Sequence, residues 1–148
     1  MPNRKATASW NGSLPDGNGT MHLASGAYEG AYSAKSRFED GDGTNPEELI
    51  AAAHAGCYSM ALAGNLGRAG FEPENVATEA TVTIERSGDG FKITAIHLET
   101  TATVSGIEPD KFQEVAAATK DTCPVSQALG AVETIEVDAR LAGGFPPE

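Results

Sequence analysis

The chain has 148 residues with a formal net charge of −11, acidic side chains outnumbering basic ones 21 to 10. That length suits a single domain with a sizeable core, and the acidic balance argues against nucleic acid or an anionic membrane as a partner. Residues 1–20 contain no apolar run and no later run reaches membrane-spanning length, so the expectation is a cytoplasmic protein without a signal peptide.

In chain order, residues 4–10 alternate weakly and read as a strand, and N-G-S-L-P-D-G-N-G as a turn. T-M-H-L-A-S is a second short strand, followed by a loop over S-G-A-Y-E-G-A-Y. Y-S-A-K-S-R-F reads as a third strand, with Arg37 near its end. These segments make an N-terminal meander over residues 1–40. The clearest helix spans residues 45–67. Asn45 is a good N-cap, Pro46 fits the first helical position, Glu47 and Glu48 add negative charge to the first turn, and Glu48 could close a capping box. The residues that follow are small or apolar on most sides, so the helix reads as buried. Residues 76–104 read as a β-hairpin turning at S-G-D-G, its second strand long enough to bend. Pro109 opens helices over 109–129, 133–141 forms the last strand, and G-G-F-P-P-E is a tail. Strands grouped with helices, without strict βαβ alternation, give an α+β fold.

Chemistry concentrates at two cysteines, Cys57 inside the central helix and Cys123 in D-T-C-P-V-S-Q-A-L. Two cysteines in a chain of this size do not make a disulfide scaffold; in a reducing compartment they are redox-active, catalytic or simply buried. Cys123 precedes a proline at a helix N-terminus, where positive partial charge lowers a thiol's pKa, so local rules make it the more activated of the two. Cys57 needs an outside cation. Arg37 is the natural candidate, although by itself it reads as a solvated strand end. His54 precedes Cys57 by three residues, which raises a Cys–His hydrolase pair or a metal site built with Cys57 and Cys123. No close CxxC and no fourth ligand accompany them, and His54 is given no catalytic role. His22 and His97 carry no motif. Phosphate-binding, G-x-S-x-G and H-E-x-x-H patterns are absent.

R-F-E-D-G-D-G-T-N-P-E-E-L-I-A-A-A-H-A-G-C-Y-S-M-A-L, together with T-C-P-V-S-Q-A-L, closely resembles the OsmC/Ohr family of osmotically induced and organic-hydroperoxide-resistance proteins, and is most similar to its OsmC branch. The likeness runs from S-W-N-G to the last strand. The resemblance implies a thiol-dependent peroxidase of the stress response that reduces organic hydroperoxides. By position it makes Cys57 the attacking thiol, which becomes a sulfenic acid, and Cys123 the thiol that condenses with it to a disulfide. The family's activating arginine and glutamate fall on Arg37 and Glu47, and Arg37 follows the OsmC placement rather than the Ohr one. The resemblance further implies no metal, haem or flavin, and an intertwined α+β homodimer of antiparallel sheets around a central helix from each chain. It also implies a dithiol reductant such as dihydrolipoamide or a lipoylated protein. A stress-linked binding or redox-sensing protein and a Cys–His thiol hydrolase stand as alternatives.

Overall fold

The computed structural model describes residues 1–142; the expected tail at 143–148 lies outside the described residues. Two compact units result, Met1–Leu49 and the chain from Ile50 onward.

In the first unit, β1 (Ala6–Asn11), β2 (Asn18–Leu23) and β3 (Glu29–Tyr32) form an antiparallel meander in the order β1-β2-β3. The third strand is not where the sequence suggests. β3 lies in the expected loop, and the expected strand over 32–38 is instead a short helix, α1 (Ala34–Phe38). Two serines decide this. Ser33 Oγ accepts from the Ser36 N–H at 3.1 Å, and Ser36 Oγ accepts from the Ser33 N–H at 2.8 Å, a reciprocal capping box that starts a helix. Between Tyr32 and Phe38 the segment S-A-K-S-R carries no β-branched or aromatic residue to oppose it. Arg37 therefore stands on the last turn of a helix, not at a strand end.

The Ser36 hydroxyl, buried, also donates to the Thr44 carbonyl at 2.7 Å, and the Asn45 amide donates to the Ser36 carbonyl at 2.9 Å. These bonds tie α1 to the entry of α2 (Pro46–Arg68). The connection needs Gly43, whose φ of +114° and close approach to the Ala31 carbonyl exclude a Cβ. Asn45 caps α2 as expected, its Oδ1 accepting from the Glu48 N–H at 2.7 Å. The Glu48 carboxylate goes to the Thr44 hydroxyl at 2.7 Å rather than closing the capping box.

In the second unit, β4 (Pro73–Ser87) pairs antiparallel with β5 (Gly90–Val104) around a turn in which Gly88 takes φ +60°. β4 starts earlier than the sequence suggests, inside the expected turn. β5 is bent by a bulge at Thr94: Thr83 pairs with Ala95 but Ile84 with Ile93. The extra residue shifts the alternation, so Ile93 before it and Ile96 and Leu98 after it all reach the core. Helices α3 (Pro109–Thr122) and α4 (Pro124–Ala128) then cross over, and β6 (Thr134–Leu141) joins β5 in parallel. This sheet, in the order β4-β5-β6, is thus mixed rather than wholly antiparallel, because a helical crossover returns the chain in the same direction.

The core packs Tyr58, Leu62 and Leu66 of α2 against Ile96, Leu98 and Ala102 of β5 and Phe112 and Ala116 of α3. His54, Tyr58, Leu62 and Leu66 recur every four residues, the spacing that puts side chains on one helix face. The opposite face is open. Ala52, Ala53, Gly56 and Gly64 are exposed, and Met60 is 78% exposed. Within one chain α2 is therefore covered on one face and open on the other.

Candidate active site

Two constellations hold the four residues singled out in the sequence. In the first unit, Arg37 and Glu47 form a bidentate pair: Nε to Oε1 and Nη2 to Oε2, each 2.9 Å. Glu47 is buried and Arg37 partly exposed. α1 and its serine cap present the guanidinium, and the first turn of α2 presents the carboxylate. The hydrogen bonds to Glu47 hold the guanidinium's pKa above its ordinary value, against the opposite pull of burial, so the site carries a permanent cation.

Arg37 also borders a cleft of about 390 Å³ lined by Trp10, Leu14, Tyr32 and Phe38. Trp10 and Tyr32 pack with ring centroids 5.2 Å apart, and the guanidinium carbon lies 5.3 Å from the Phe38 ring centre. This aromatic wall was not singled out from the sequence. Its members are spread over β1, the β1–β2 turn, β3 and α1, and only the folded meander gathers them.

In the second unit, the Cys57 and Cys123 sulfurs are 3.1 Å apart and hydrogen-bonded, both thiols free. The residues are 66 positions apart in the chain. α2 supplies Cys57, and the junction of α3 and α4 supplies Cys123. Two interhelical bonds hold that junction's approach: the Tyr58 hydroxyl donates to the Ala116 carbonyl at 2.9 Å, and the Asn65 amide to Thr119 Oγ1 at 2.8 Å. Cys123 is fully buried, whereas Cys57 is partly exposed.

Their electrostatics differ in sign. Burial pushes the Cys57 thiol up, the Val125 N–H opposes this, and the neighbouring Cys123 sulfur adds to the rise. Burial would push Cys123 up as well. The Ser126 N–H, the Cys57 thiol, the Ser126 side chain and the Val125 N–H together outweigh it, and the Cys123 thiol sits below its ordinary range. The local reading of C-P-V-S thus gives the right sign at Cys123.

His54 does not pair with Cys57. Its ring is fully buried, Nε2 lies 2.7 Å from Ser126 Oγ, and Nδ1 has no partner. Burial lowers its pKa, so the ring is neutral at physiological pH. With Nε2 engaged and no carboxylate on Nδ1, His54 is not arranged as the general base of a Cys–His pair. Ser126, not singled out from the sequence, is the partner of His54 and stands three residues after Cys123; its only sequence signal was its place in C-P-V-S. Among the described residues the one grouping of metal-ligating type is His97, Glu99 and Asp138 on β5 and β6, where His97 Nε2 meets Asp138 Oδ2 at 3.0 Å. No described helix is long and apolar enough to cross a membrane.

Residues 39–138, which include Glu47 and both cysteines, match the OsmC-like protein family. The chain is 43% identical over 134 residues to peroxiredoxin OsmC of Escherichia coli K12, covering 90% of this chain and 94% of that one. Its fold is similar to the crystal structure of the organic hydroperoxide resistance protein OhrB of Bacillus subtilis, at a TM-score of 0.68 and 25% identity over 93% of this chain and 97% of that one. It is also similar to an OsmC-like protein from Mycoplasma pneumoniae, at a TM-score of 0.72 and 15% identity over 95% and 97% of the two chains. An α+β fold of this kind and a family match over most of the chain lead to one conclusion: the chain belongs to the OsmC/Ohr family, as an OsmC-like protein.

Proposed function

We propose that this protein is a thiol-dependent peroxidase that reduces organic hydroperoxides to alcohols and is recycled by a dithiol. The names of its relatives, peroxiredoxin and organic hydroperoxide resistance protein, support a peroxidase-like redox role. One observation carries the finer reading: two thiols 3.1 Å apart, one partly exposed and one fully buried. A peroxide reaches only Cys57, and the sulfenic acid it leaves has a second thiol in contact with it.

The Cys57 thiolate forms an S–O bond to the terminal peroxide oxygen as the O–O bond breaks, and the alkoxide leaves as the alcohol after taking a proton. Sulfur gives up two electrons and the peroxide accepts them. The Cys123 thiolate then attacks the sulfenic sulfur, forming the Cys57–Cys123 disulfide and releasing hydroxide, which leaves as water. A dithiol such as dihydrolipoamide restores both thiols and is itself oxidised to a disulfide.

Cys57, pushed up in its own chain, needs a cation, and the Arg37–Glu47 pair is the one proposed. Glu47 and Cys57 lie ten residues apart on α2, about 15 Å along a continuous helix, too far for both to share one guanidinium. We therefore assign the cation at each Cys57 to a second copy of the chain. The exposed strip of Ala52, Ala53, Gly56, Met60 and Gly64 supports an antiparallel pairing of two α2 helices, which would carry Glu47 and Arg37 of one protomer to Cys57 of the other in a homodimer. The aromatic cleft beside Arg37 would then take the organic part of the hydroperoxide, favouring cumene or fatty-acid hydroperoxides over hydrogen peroxide.

Peroxide consumption under dihydrolipoamide, thioredoxin and glutathione tests the reading. Turnover with an organic hydroperoxide and a dithiol supports it. Oxidation without turnover under any of these reductants leaves a redox sensor instead.

A further inference from the structure

Apart from the thiol pair and the Arg37–Glu47 pair, an imidazole meets carboxylates on the open face of the second sheet. His97 and Glu99 stand two residues apart on β5 and share a face, while Ile96 and Leu98 turn the other way into the core. β6 runs parallel beside them, with His97 in register with Glu136 and Glu99 with Asp138. His97 Nε2 lies 3.0 Å from Asp138 Oδ2 and 3.9 Å from Glu99 Oε1, and His97 Nδ1 lies 3.9 Å from Glu136 Oε1. One donor atom each of His97, Glu99 and Asp138 falls within 4.8 Å of the other two. Two ligands bonded to one ion at about 2.1 Å stand about 3.0 Å apart at a right angle and about 3.4 Å apart at a tetrahedral angle. The two spacings at Nε2 bracket that range.

The ring faces carboxylates from both of its nitrogens. A neutral imidazole has one N–H and can serve only one side. A metal ion at Nε2 satisfies both: Nε2 gives its lone pair to the ion, and Nδ1–H turns to Glu136, the carboxylate–histidine–metal order common at such sites. The sheet supplies a second reason. Glu79, Glu99 and Asp138 lie directly opposite one another across β4, β5 and β6, a row of like charges that weakens strand pairing. Among the described residues no lysine or arginine forms an ion pair with Glu99, Glu136 or Asp138; Lys120 and Arg140 only border the hollows beside them. We propose that His97, Glu99 and Asp138 bind a divalent first-row transition ion of the zinc class, with water completing its shell and Glu136 orienting the ring. The imidazole selects such an ion over calcium and magnesium, which take oxygen ligands. The ion bridges β5 to β6, the edge strand to which α3 and α4 return the chain, and so clips the end of that crossover.

The test uses the tag-free chain carrying Cys57→Ser and Cys123→Ser, because thiols would compete for the ion. Three imidazoles remain; His54 is sealed in the core, so His22 is the control for His97. Calorimetric titration with Zn²⁺ should show one site per chain. His97→Gln and Asp138→Asn should each weaken it by at least about tenfold, and Glu136→Gln by about tenfold, as loss of an orienting carboxylate does. His22→Gln should leave it unchanged, and an equal concentration of Ca²⁺ should displace none of the Zn²⁺. At about 100 times its dissociation constant, Zn²⁺ should raise Tm by about 5 °C. Glu99→Gln should raise the Tm of the metal-free chain, by breaking the row of like charges, and lose the response to Zn²⁺. Circular dichroism confirms that each variant folds. Equal binding of Ca²⁺ and Zn²⁺ would reduce the cluster to an acidic patch. Full affinity in His97→Gln, or loss of it in His22→Gln, would put the ion elsewhere. Absence of Zn²⁺ binding would leave His97 a plain ion-pair partner of its carboxylates. Any of these outcomes overturns the proposal.

Discussion

Arg37 grips Glu47 edge-on, Nε and Nη2 each 2.9 Å from a different carboxylate oxygen. Two parallel bonds fix the plane of the guanidinium as well as its position, which a lysine ammonium cannot do. Arg37→Lys should therefore lower kcat/KM for cumene hydroperoxide by about 10²-fold while leaving the fold intact. Steady-state kinetics with circular dichroism checks this. A rate within a few-fold of the unaltered protein would mean that charge alone, not orientation, is used at this position.

The thiols should divide their work by exposure. Cys57→Ser should abolish peroxide reduction. Cys123→Ser should consume one equivalent of hydroperoxide per chain and then stall as a sulfenic acid, trapped by dimedone and weighed by mass spectrometry. The unaltered protein should show an intrachain Cys57–Cys123 link under the same treatment. A sulfenic acid in Cys57→Ser and none in Cys123→Ser would reverse the assignment.

Gly56 separates a single-chain site from a two-chain one. A Cβ at Gly56 meets nothing within 4 Å in its own chain, and leucine favours a helix over glycine by roughly 0.8 kcal/mol. Gly56→Leu should leave an isolated chain at least as stable, yet split a dimer packed on that face and remove activity with it. Light scattering and peroxidase assays read both effects. Mixing inactive Glu47→Ala and Cys57→Ser chains should restore activity, since one of the two sites in a mixed dimer escapes both changes. A fully active Gly56→Leu dimer would move the interface elsewhere.

His54 makes the fold acid-sensitive. Its pKa in the native chain lies below the ordinary 6.5 because the ring is buried. Above that value both folded and unfolded chains hold a neutral ring and the group contributes no slope. As pH falls below it, the unfolded chain binds a proton that the folded chain refuses, so stability drops. His54→Gln should flatten this part of the profile. Urea unfolding at about pH 7.5 and about pH 5 measures the difference. An unchanged slope would assign the acid sensitivity to other groups.

Much of the architecture was legible in local residues. Asn45–Pro46 marked the start of α2, S-G-D-G the hairpin turn, and Pro109 and Cys123–Pro124 the starts of α3 and α4, because caps and turns depend on a few adjacent side chains. The depressed Cys123 thiol was legible in part for the same reason: Val125 and Ser126 are adjacent in sequence, whereas the Cys57 thiol that also lowers it is not. The α1 helix was missed because its two-serine box lies inside an alternating pattern that also fits a strand. What tertiary structure alone decided involves partners distant in sequence. No local rule brings Cys57 within 3.1 Å of Cys123 across 66 positions; the packing of α3 on α2 does so. Nor does composition reveal that α2 buries one face and leaves the other open. Its alanines and glycines are equally at home against a neighbour or in water, and only the position of β5 and α3 selects the face that is covered.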